Sequence, residues 1–82
     1  MKNKKRKYPE LSALKGKLRE KKFSYVRIAE LMHMTPNTFC NKVNGYYPFN
    51  SDEIGRILII LDISASDMAY YFFPNLMRIA EK

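Results

Sequence analysis

The chain has 82 residues, 46% of them hydrophobic, and a formal net charge of +7. That length makes one domain, near the lower limit for a core that folds without staples. One cysteine and one histidine exclude an intramolecular disulfide, a cysteine-based zinc site and a histidine cluster. The longest apolar run, Ile57 to Leu61, is far too short to span a bilayer, and the basic N-terminus has no apolar signal core. The expected setting is soluble, reducing and cytoplasmic, with no membrane partner.

The charge is unevenly placed. Residues 1–22 carry ten Lys and Arg against Glu10 and Glu20, a net +8, whereas residues 23–82 carry five basic against six acidic residues, a net −1. A cationic end on a near-neutral body suits a polyanionic partner, although a basic run also serves as a plain solubilising tail.

Met1 to Lys7, MKNKKRK, has no apolar periodicity and repels itself, so residues 1–8 read as a flexible basic arm. Such arms can follow a DNA backbone or enter a minor groove. Tyr8-Pro9 marks the boundary, because Pro starts helices more readily than it continues them. The first helix is predicted from about Glu10 to Lys21, with Leu11, Leu14 and Leu18 on one face and Lys15, Arg19 and Lys22 toward another. Glu10 at its start and the bases at its end suit the helix dipole. Gly16 within it costs about 0.8–1 kcal/mol relative to Ala; close approach of a neighbouring helix explains it, and so does simple tolerance.

Phe23 ends the basic run and is expected to pack inward. Ser24 is placed to cap a second helix, Tyr25 to Met32, although Arg27 stands where a reciprocal capping box needs Glu. Ile28, Ala29, Leu31 and Met32 fall at helical spacings and form one apolar stripe. His33 and Met34 interrupt it. Thr35 then caps, and Pro36 opens, a third helix that buries Phe39 and Val43 and stops at Asn44-Gly45. Two helices joined so tightly must cross at a steep angle, the helix-turn-helix geometry that offers the second helix to a DNA major groove.

Tyr46, Tyr47 and Phe49 form an aromatic loop that either closes the core, the favoured reading, or presents a stacking and dimer-contact surface. Ser51 is expected to cap the fourth helix, with Asp52 and Glu53 in its first turn. Ile54, Ile57, Leu58 and Leu61, with Ile60 extending the arc, make it the main core helix; burying each such side chain is worth about 1.5–3 kcal/mol. Asp62-Ile63-Ser64 breaks it. Ser64 or Ser66 caps a short fifth helix through Asp67, Met68, Tyr71 and Phe72. Pro74 either stops that helix or begins a last one, Asn75 to Ala80, with Leu76 and Ile79 on one side. Cys40 reads as a semi-buried thiol. No strand-like alternation or internal repeat is present, so the predicted class is all-α.

Ala29, Thr35, Phe39 and the Asn44-Gly45 ending together resemble the Cro/phage-repressor (XRE-type) helix-turn-helix family, with a match running from about Leu11 to Phe73. The flanking LKGKL and FNSDEIGRILIILDIS resemble short prophage-type regulators. The likeness implies a five-helix, lambda-repressor-like domain over residues 9–73, after the arm and before a short C-terminal helix or tail at 74–82. It implies binding of double-stranded operator DNA, usually as a homodimer.

By position, the resemblance places Pro36, Asn37, Thr38 and Asn41 at the bases. Asn37 and Asn41, one turn apart, would meet adenine edges, each good bidentate pair giving about 1–3 kcal/mol of discrimination. Ordinary solvated helix surface is the plainer reading of both. Thr35 and Thr38 are short enough for a phosphate or a thymine methyl, and capping is sufficient reason for Thr35. Asn44 falls at a backbone-contact position. Lys4, Lys5, Arg6 and Lys7 of the arm and Lys17 of the first helix are expected to contact phosphates.

Three residues depart from the family pattern. Tyr25 replaces a phosphate-binding Gln, and its hydroxyl either donates in the same direction or its ring packs. His33 replaces the turn Gly; His enters the left-handed region less easily than Gly but better than most residues. Lys42 replaces an apolar residue, so it either snorkels outward to a phosphate or reports a rotated helix.

The leading expectation is a phage or mobile-element transcriptional repressor acting by operator occlusion, with no cofactor and no small-molecule ligand. The competing expectation is a protein-interaction module, since the third helix has only Lys42 as a base and Tyr70, Tyr71, Phe72, Phe73 and Leu76 offer a docking face. An enzyme is not expected, because no nucleophile–base pair, metal-ligand spacing or phosphate-cradling Gly loop is present.

Overall fold

The computed structural model describes residues 7–76. Lys4, Lys5 and Arg6 of the expected arm, and Ile79 and Ala80 of the expected last helix, lie outside the described residues. Among those described the protein is all-helical, with no strand: α1 (Ser12–Glu20), α2 (Tyr25–Leu31), α3 (Pro36–Val43), α4 (Ser51–Leu61), a 3-10 turn (Ala65–Asp67) and α5 (Met68–Phe72). Residues 74–76 begin a further helical turn. No helix among the described residues is long and apolar enough to cross a membrane.

The helix starts follow local chemistry. The Ser24 and Thr35 hydroxyls accept the backbone N–H of Arg27 and Thr38, three residues on, and Pro36 opens α3 as expected. At α4 the cap is Asn50, one residue before the expected Ser51. Asn50 Oδ1 accepts the Glu53 N–H at 2.8 Å and Glu53 Oε1 accepts the Asn50 N–H at 3.0 Å, a reciprocal box that Ser51, one position later, has no matching Glu or Gln to complete. Ser64 caps the 3-10 turn.

The first helix starts two residues later than predicted, and Glu10 therefore stands outside it, paired with Lys15. The cause is tertiary. Tyr8 and Leu11 donate their N–H groups to the carbonyls of Gly45 and Val43, both at 2.9 Å, so the chain runs across the carboxyl end of α3 before it can coil. These bonds satisfy carbonyls that a helix end would otherwise leave open.

Four helices end on a residue in the left-handed region, and only one of these is Gly: Lys22 (φ 64°), His33 (φ 60°), Gly45 (φ 95°) and Asp62 (φ 57°). In each case the following N–H reaches back five residues, as Met34 does to the Ala29 carbonyl at 3.0 Å and Tyr46 to that of Asn41 at 2.9 Å. His33 thus adopts the left-handed conformation expected of it in the turn.

The core is one cluster. Leu11, Leu14 and Leu18 meet Ile28, Ala29 and Met32, Phe39 and Val43, Ile54, Ile57 and Leu61, with Ile63 and Phe72 closing it. A chain of edge-to-face rings runs through it: Tyr25–Phe39 at 5.5 Å, Phe39–Phe49 at 5.7 Å and Phe49–Phe72 at 5.8 Å between centroids. Phe49 packs onto the core, as the favoured reading of the aromatic loop expects, while Tyr47 is exposed. Leu31 is only half-buried and Ile59 points to solvent, so the buried arcs of α2 and α4 are narrower than their apolar runs.

Candidate nucleic-acid interface

Phe39 and Val43 are fully buried and fix which side of α3 faces out. Thr35, Pro36 and Asn37 are exposed, and Thr38 and Asn41 are half-buried, so the five residues nominated for the outward side lie along one helix start and flank. Thr35 serves as the cap and its hydroxyl also donates to Thr38 Oγ1 at 2.9 Å, which engages both side chains locally. The Asn37 and Asn41 amides make no side-chain hydrogen bond among the described residues. Each therefore offers both a donor pair and an acceptor.

The nominated backbone-contact residues divide. Lys7 is exposed, but its N–H donates to the Gly45 carbonyl at 3.0 Å, so the chain is docked from this residue onward. Asn44 is half-buried at the end of α3 and its amide donates to Cys40 Sγ at 3.3 Å. Tyr25 is half-buried with its ring against Phe39. Burial pushes its phenol above the usual tyrosine value, with Lys15 and Arg19 pulling the other way.

Two of the nominated lysines are engaged by carboxylates. Lys17 turns toward α5, with Nζ 5.8 Å from the Tyr71 ring centre and 3.4 Å from Glu20. Burial of its stem opposes the charge, but Glu20 and Tyr71 outweigh this and hold the ammonium above its usual value. Lys42 does not snorkel outward. Its Nζ lies 2.8 Å from both carboxylate oxygens of Glu53, with 16% and 18% of the two side chains exposed. A carboxylate on the neighbouring helix offers a closer partner than solvent.

The accessible cations are others. Arg19, Lys21 and Lys22 are exposed around the end of α1, and Arg56 is exposed on α4; none forms an ion pair among the described residues. Arg19 and Lys22 were legible as a polar face of the first helix. Their freedom was not, because it follows from Glu10 and Glu20 taking Lys15 and Lys17 instead. Among the described residues the nominated helix start is neutral and hydrogen-bonding, and the cations without an ion pair lie around the end of α1 and on α4.

Behind it, a cavity of about 270 Å³ opens between the N-terminal segment, the aromatic loop and α5. Leu11, Phe49, Ile54 and Phe72 form its floor, and Tyr8, Tyr47, Phe73 and Leu76 stand exposed at its rim.

Residues 8–75 match a family described as "Protein of unknown function (DUF739)". No curated protein matches the chain.

Proposed function

The chain belongs to the DUF739 family, and we propose that it is a sequence-specific, double-stranded-DNA-binding transcriptional regulator of the Cro/phage-repressor helix-turn-helix type. It acts as a homodimeric, cytoplasmic repressor of a phage or mobile element, by occluding an operator. The observation that carries this reading is the pair of amides, Asn37 and Asn41, without a side-chain hydrogen bond among the described residues and one turn apart on a helix held outward by fully buried Phe39 and Val43. Amides so spaced suit the adenine N6/N7 edge. Attraction to the duplex comes from the cationic first 22 residues, which position without reading sequence.

Selection of bound sequences from a random duplex pool tests it. A palindromic site is expected, with affinity falling by about 0.9 log units per log unit of salt for each neutralised phosphate. Asn41→Ala should relax sequence preference, whereas Lys4→Ala should weaken all duplexes alike. No enriched site together with salt-independent binding sinks the proposal.

The exposed rim of Tyr8, Tyr47, Phe73 and Leu76 around an apolar cavity favours the second reading, a module that docks a protein. Capture of one protein partner with no selected DNA site would establish that reading in place of the first.

A further inference from the structure

The ion pair between Lys42 and Glu53 differs from the exposed pairs among the described residues and, unlike the part-buried Lys15–Glu10 pair, it joins two helices. Lys17–Glu20 and Arg27–Glu30 join neighbours on or beside the same helix and leave both Glu side chains more than half exposed, at 64% and 69%; such pairs exchange readily with water and other ions. Lys42–Glu53 bridges α3 and α4 with both side chains largely covered, and Lys42 Nζ stands 5.9 Å from the Phe49 ring centre. Glu53 is not free to follow its partner. Its Oε1 accepts the Asn50 N–H as well as Lys42, and its own N–H is held by Asn50 Oδ1, so the α4 cap fixes the carboxylate.

Lys42 is the single Lys or Arg of α3. A free cation there would attract phosphate on any duplex, because a phosphate contact carries no sequence information. Resting on the DNA-binding reading above, we infer that Glu53 is a positioning residue for specificity: it holds Lys42 off the DNA backbone, so α3 meets the duplex with neutral donors and acceptors alone. Removal of that restraint adds sequence-blind affinity and narrows the gap between operator and other DNA.

Glu53→Gln isolates the effect. A Gln oxygen still accepts the Asn50 N–H, so the capping box survives while the charge is lost. Binding of the full chain to its selected site and to a scrambled duplex is measured over a series of salt concentrations, for wild type, E53Q, K42Q and the double variant. E53Q is expected to steepen the salt slope by about 0.9 on both duplexes. It should also tighten the scrambled duplex several-fold at low salt and lower the ratio of selected to scrambled affinity. K42Q alone should leave the slope unchanged, and adding it to E53Q should restore the wild-type slope.

A merely structural role for the pair shifts melting temperature and affinity without touching the slope, and that outcome overturns the inference. So does a K42Q slope shallower by about 0.9, which means Lys42 already meets a phosphate; this holds whether or not E53Q folds. A wild-type chain that binds no duplex overturns the DNA-binding reading itself, and the inference falls with it.

Discussion

Tyr8 donates its backbone N–H to the carbonyl of Gly45 at 2.9 Å, joining the start of the domain to the carboxyl end of α3. Lys7 donates to the same oxygen, so Lys2, Lys4, Lys5 and Arg6 enter the chain immediately before an anchored point. Deleting residues 1–6 is expected to leave the melting temperature unchanged while lowering the salt slope of duplex binding by up to about 3–4, roughly 0.9 per lost phosphate contact. An unchanged slope would show that these cations do not meet DNA.

The left-handed caps make a graded series. A non-Gly residue there carries about 1–2 kcal/mol of strain, offset in part by the extra unfolded-state freedom that Gly would bring, about 0.4–1 kcal/mol. Lys22→Gly should therefore stabilise most, by about 1 kcal/mol, with His33→Gly and Asp62→Gly smaller, since His and Asp tolerate the region better. Denaturant unfolding measures the order. A loss of stability at Lys22 would mean that its side chain is held by something other than solvent.

A Cβ added at Gly16 would meet nothing within 4 Å, which removes close helix approach as the reason for this glycine. Gly16→Ala should stabilise by about 0.8–1 kcal/mol, a rise of several degrees in melting temperature for a domain of this size. A neutral or destabilising result would contradict an open surface at this position.

Asn50→Ala should cost about 1 kcal/mol, whereas Ser51→Ala should change stability little. Equal losses from both would show that the cap is shared. Paired thermal melts decide between them.

Tyr25 links burial to pH. Its folded-state value is raised because burial penalises the phenolate, so its contribution is fully present below the ordinary tyrosine value of about 10 and is lost as pH rises through the folded value. Tyr25→Phe should accordingly lose less stability than wild type over that alkaline range. Identical alkaline profiles would place the phenol in water.

What was legible along the chain is what neighbours within about four residues decide. Thr35-Pro36 starts a helix, Gly45 ends one, and Leu14, Leu18, Ile28, Phe39, Val43, Ile57 and Leu61 go inside because spacing puts them on one side. Asn50 and Ser51 are both good caps, and the choice turned on Glu53 being three residues from one and two from the other. That spacing is present in the sequence and selects Asn50 over the expected Ser51. The pairing of Lys42 with Glu53 and the contact of Lys17 with Tyr71, by contrast, had no local signature, since Glu53 is eleven residues from Lys42 and Tyr71 belongs to α5; the Lys17–Glu20 pair is local.

The Ser24–Gly45 segment shows the same division at the site. Sequence alone determined its two helices, their caps, and which residues of α3 turn inward, because hydrogen bonds of the first turn and apolar periodicity are properties of adjacent residues. Tertiary structure decided that the Lys42 charge is taken, because Glu53 of α4 lies beside it, whereas Lys17 meets Glu20 three residues along its own helix; Arg19, Lys21, Lys22 and Arg56 form no ion pair among the described residues. A side chain's sign is written in the chain, but whether that charge faces solvent or a carboxylate depends on which distant helix lies beside it.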